Sequence, residues 1–82
     1  MAKSQKSQFT GPAKKSIRRI EKSLERGYNV LVQFTLKLNG KMRNVQHWIH
    51  VTVENVWAYV GVLIPSGHMI HKVRVLQWTP AV

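Results

Sequence analysis

Asn39-Gly40, set between two stretches that alternate apolar and polar residues, is the feature that most constrains this chain. Both positions tolerate positive φ, as the tight turn joining two antiparallel strands demands. Before the turn, Val30, Val32, Phe34, Leu36 and Leu38 alternate with Leu31, Gln33, Thr35 and Lys37. A two-residue loop then sets Leu38 opposite Lys41, Phe34 opposite Val45, Val32 opposite His47 and Val30 opposite Ile49. The apolar residues of both strands fall on one face, and a slip of one residue would destroy that agreement.

The alternation continues beyond the hairpin. It predicts a second strand over 41–53, a tight turn at Glu54-Asn55 and a third strand over 56–64. Pro65, Ser66 and Gly67 interrupt the pattern, and a fourth strand is expected over 69–78. In this meander Val51, Val53, Ala58, Val60, Val62, Ile64, Val73 and Val75 join the apolar face of the first strand.

A helix precedes the strands. Thr10 or Gly11 suits its cap, Pro12 its first turn and Gly27 its end. Ile17, Ile20, Leu24 and Tyr28 recur at three- and four-residue spacing and form the stripe that would cover the sheet. Residues 1–11 are rich in Ser, Gln and Lys and read as a flexible basic arm. Residues 12–82 then make a single α+β domain: one helix on the apolar face of a four-stranded antiparallel meander. A twisted sheet of that length is also able to curl into a small barrel.

Charge narrows the function. Thirteen Lys and Arg face three acidic residues, all Glu, for a formal charge of +10. Such imbalance causes self-repulsion that a negatively charged partner relieves, either nucleic acid or an anionic membrane surface, and the density of basic charge favours nucleic acid. Lys14, Lys15, Arg18, Arg19, Lys22 and Arg26 stud the helix, offset only by Glu21 and Glu25. That array is either a solvated face or a rail for phosphates. Without cysteine there is no disulfide or thiolate site, which suits a cytoplasmic protein. No apolar run reaches membrane-spanning length, and the first residues lack the apolar stretch of a signal peptide.

The outer face of the expected sheet carries Gln33, Thr35, Lys37, Asn44, Gln46, Trp48, His50 and Thr52. Trp57, Tyr59, Lys72, Arg74 and Trp78 continue it. The expected register sets Trp48 beside Gly61, His50 beside Tyr59, and Tyr59 near Arg74. Rings among cations are what single-stranded nucleic acid needs, since bases stack while Lys and Arg take phosphates. The expected contacts are therefore Trp48, His50, Trp57, Tyr59, Lys72 and Arg74 on the sheet, and Lys14, Lys15, Arg18, Arg19 and Lys22 on the helix. Leu31, Leu63, Ile70 and Leu76 also fall on this face, so it serves equally as a homodimer or partner-protein interface.

Catalysis has little to work with. His47 and His50, and likewise His68 and His71, are three apart and point to opposite faces of a strand, so no metal site or cofactor is expected. His47 and His71 are expected to face the core. His50, Tyr59, Lys72 and Arg74 make one conceivable metal-free ribonuclease group. In layout, with Met69-Ile70-His71-Lys72 and then Pro80 near the end, the chain is loosely similar to the Sm-like RNA chaperones. It departs from them in having no glycine in the second strand, and no functional residue carries over. The expected function is non-catalytic binding of RNA or single-stranded DNA, regulatory or chaperone-like. The alternative is a small interaction module or inhibitor of phage or plasmid type, and the ribonuclease toxin stands third.

Overall fold

The computed structural model describes residues 9–64 and 67–81. The expected arm lies outside these residues up to position 8, as do Pro65 and Ser66. The elements in chain order are α1 (Gly11–Glu25), β1 (Tyr28–Leu38), β2 (Lys41–Ile49), α2 (Val56–Leu63) and β3 (Met69–Pro80).

Helix α1 starts where the sequence says it should. The Thr10 hydroxyl oxygen accepts from the Ala13 N–H at 3.4 Å, and Pro12 sits in the first turn, where its missing donor has no helical partner. Ala13, Ile17, Ile20 and Leu24 are its buried stripe. Gly27, at φ 91°, turns the chain out of the helix. Tyr28, expected on the stripe, instead opens β1 and is exposed.

The β1–β2 hairpin has the expected register, with Leu38 opposite Lys41, Phe34 opposite Val45, Val32 opposite His47 and Val30 opposite Ile49. Asn39 and Gly40 take φ of 52° and 78° at its tip. Strand β2 stops at Ile49 rather than running to residue 53. The Asn29 side-chain oxygen accepts the Val51 N–H at 2.9 Å, and the Val53 N–H donates to the His50 carbonyl, so the backbone turns away.

The expected third strand is a helix, and the four-stranded meander over one helix is therefore corrected to a three-stranded antiparallel sheet, order β2-β1-β3, with two helices. Asn55 makes the difference. Its side chain accepts the Ala58 N–H at 3.1 Å and caps α2 instead of turning a hairpin. Val56, Val60 and Ile64, four apart, are buried, whereas Val62 is 85% exposed. On a strand Val60 and Val62 would share a face. With the third strand gone, β3 pairs with β1, which becomes the central strand.

Two irregularities in β3 decide which side chains face which way. Thr35 pairs with Lys72 but Leu36 with Ile70, leaving His71 extra; Leu31 pairs with Gln77 but Val32 with Val75, leaving Leu76 extra. Each bulge reverses the alternation beyond it. Ile70 is consequently buried beside Leu36, not on the outer face. His71, expected to face the core, is exposed, and Trp78 pairs with Val30 on the helix side. The Thr10 hydroxyl uses the first bulge, donating to the His71 carbonyl at 2.8 Å, while Phe9 forms a short parallel bridge with Ile70. Phe9 is buried in the core.

Both helices lie on one side of the sheet, burying Val30, Val32, Phe34, Leu36, Ile49, Ile70 and Val73 beneath Ile17, Ile20, Leu24, Val56 and Val60. Each large side chain withdrawn from water contributes about 1.5–3 kcal/mol. Among the described residues no element covers the other side of the sheet.

Candidate nucleic-acid interface

The open side follows from alternation along each strand. Leu31, Gln33, Thr35 and Lys37 of β1 lie between Trp48, Gln46, Asn44 and Met42 of β2 and Gln77, Arg74, Lys72 and Met69 of β3. Read across the strands, Trp48–Leu31–Gln77, Gln46–Gln33–Arg74, Asn44–Thr35–Lys72 and Met42–Lys37–Met69 form four rows. These residues are exposed or half-buried. None is acidic. The Thr35 hydroxyl donates to the Asn44 side-chain oxygen at 2.8 Å, which turns the Asn44 NH2 group towards solvent as a donor.

Trp48 ends the first row and is 38% exposed. Its ring lies nearly parallel to that of His50, with 6.5 Å between centroids and 23° between planes. A half-open indole braced by a second ring is a ready surface for a planar group. Lys37, Lys72 and Arg74 stand along the face, within reach of a chain crossing it.

The three glutamates lie elsewhere. Glu21, Glu25 and Glu54 line one groove with Leu24, Val51, Val53 and Val56, where the end of α1 meets the connection into α2. The chain thus separates its few negative charges from its open sheet, leaving that sheet purely cationic among the described residues.

Of the expected sheet contacts, Trp48, Lys72 and Arg74 share the open face, and His50 stands at its corner. Trp57 and Tyr59 do not join them, because they belong to α2. Trp57 packs edge-to-face on Phe9 at 5.0 Å, and the Tyr59 hydroxyl donates to the Trp48 carbonyl at 3.4 Å. Trp78, displaced by the Leu76 bulge, donates its indole N–H to the Ser23 hydroxyl at 3.1 Å. The expected proximities of Trp48 to Gly61, His50 to Tyr59 and Tyr59 to Arg74 as strand neighbours fall with the third strand. The ribonuclease group loses its register in the same way: Arg74 aligns with Gln46, two strands over, and His50 lies beyond the far end of β2.

On α1, Lys14, Lys15, Arg18, Arg19 and Lys22 are all exposed. They project from the layer opposite the open face. Arg19 borders a cleft along β3, with Ser16, Ser23, Arg74 and Trp78. Gln77 was hidden from sequence reading by the bulge; the unbroken apolar pair Val75-Leu76 was its only trace.

His47 faces the core side, its ring 6.1 Å from that of Phe34. No group of three or more His, Asp or Glu side chains is placed to hold a metal ion among the described residues. No helix of the described residues is long and apolar enough to cross a membrane. No protein-family model, curated protein or solved structure matches the chain.

Proposed function

We propose that the protein binds single-stranded nucleic acid on the open face of its sheet, without turnover. The observation that carries this reading is the separation of charge: an open face with a ring pair at one corner, amides through the middle, a cation in three of its four rows and no carboxylate. Bases stack on exposed indoles and phosphates pair with Lys and Arg, so both components of the ligand find a partner there. The amides of Gln33, Gln46, Gln77 and Asn44 supply donors and acceptors to base edges, which are accessible in a single strand.

A protein partner suits this face less well. Its apolar members, Leu31, Trp48, Met42 and Met69, are divided by amides and cations, whereas the centre of a protein interface is depleted in charge.

Fluorescence anisotropy with a labelled oligouridylate, an oligothymidylate and a duplex, titrated over a range of salt, tests the proposal. Both single strands are expected to bind at low salt, with log affinity falling linearly in log salt. Trp48→Ala is expected to weaken binding by about 1–3 kcal/mol. Absence of single-strand binding at low salt would overturn the reading.

A further inference from the structure

We infer that a single strand held on the open face continues over the free edge of β3 to helix α1, with Arg74 and Arg19 on the two banks of that edge. The inference rests on the sheet-face reading and goes beyond it: the two cationic surfaces, which belong to opposite layers, serve one ligand.

Three observations carry it. A cleft of about 500 Å3 starts on the open face at Asn44 and Thr35, passes Lys72 and Arg74, and reaches Pro12 and Ser16 of α1. A second cleft, of about 260 Å3, shares Ser16 and Arg74 with the first and extends past Arg19 to Trp78. Together they form one track around the edge, and neither has an acidic residue in its wall. The edge itself is the second observation. Strand β3 is an edge strand of the sheet, paired with β1 on one side, and among the described residues Phe9 and Thr10 engage its other side at Ile70 and His71.

The third observation is what stands at the two ends. Trp48 lies on the open face, and Trp78, 54% exposed with its N–H fixed on Ser23, lies past the edge. An aromatic platform at each end of a cationic path is the pattern that stacks bases and neutralises the phosphates between them. The occupant is a nucleic acid because the charged residues along the path, Lys72, Arg74 and Arg19, are all cations, so a second copy of a chain with formal charge +10 would be repelled from it.

Salt-dependent anisotropy on Arg19→Gln, Arg74→Gln and Arg18→Gln tests the path. All three side chains are exposed, so folding is not at stake. Arg18 follows Lys14 by four residues, on the flank of α1 that leads to Glu21 and Glu25, away from the track. With an oligouridylate of about 12 nucleotides, within the length one small domain spans, Arg19→Gln and Arg74→Gln are each expected to reduce the magnitude of the salt slope by about 0.7, one phosphate contact. Arg18→Gln should reduce it by less than half as much. With a probe of about 4 nucleotides, the shortest span of a small domain, the Arg74→Gln effect should persist and the Arg19→Gln effect vanish. Equal effects of Arg18 and Arg19, or an Arg19 effect independent of probe length, would mean diffuse attraction and would overturn the path while leaving the sheet reading standing. If the wild-type chain binds neither probe, the sheet reading fails first.

Discussion

Strand β1 and helix α2 are close to twins as sequences, yet they end in different secondary structures. Both are short, rich in Val and Leu, and alternate well enough to read as a buried strand. β1 keeps the promise because its odd-spaced polar residues, Gln33, Thr35 and Lys37, have an open side to occupy. In α2 nearly every residue is apolar, so period two and period 3.6 fit equally well. What settles it is a cap, Asn55 on the Ala58 N–H, and a stripe four residues apart that closes the core against α1. Three β-branched valines, Val56, Val60 and Val62, favour a strand locally, and tertiary packing overrides them.

The largest test of that contrast is Val60→Asp, which places a charge in the sealed core and is expected to lower stability by more than about 4 kcal/mol in urea denaturation. Phe34→Ala does the corresponding damage in β1, about 3–5 kcal/mol, because Phe34 is fully buried at the centre of the sheet. The two local signals rank next. Gly40→Ala meets no side chain or backbone within 4 Å, so its cost, about 1 kcal/mol, comes from the positive φ alone. Asn55→Ala removes the cap of α2 for about 1 kcal/mol. Smallest of all is Val62→Asp, expected within about 0.5 kcal/mol. Equal damage from Val60→Asp and Val62→Asp would break the contrast, since only a strand places both on one face.

The same contrast explains how far the sequence could be read. The α1 stripe and the hairpin register were legible because each depends on signals a few residues away: Thr10 and Pro12 for the helix, Asn39-Gly40 for the turn. The partner of β1 on its far side was not, because it lies beyond α2 and nothing local specifies it. Bulges at His71 and Leu76 were also invisible, and they moved Ile70 and Trp78 to the helix side. The candidate site suffered in proportion. Trp48, Lys72 and Arg74 shared a face as expected, since Trp48 belongs to the hairpin and the other two lie between the bulges. Trp57 and Tyr59 were lost with the third strand.

The central position of β1 has a kinetic consequence. Its hairpin with β2 closes over a short loop, but Tyr28 must wait for Pro80 and Val30 for Trp78 before its second edge is paired. Thr10 waits likewise for His71. Much of the native pairing thus joins residues far apart in sequence, and such high contact order slows folding towards the millisecond-to-second range. Refolding from denaturant should accordingly show a hairpin formed early and a rate set by the arrival of β3, the last strand to emerge and the one that completes the sheet.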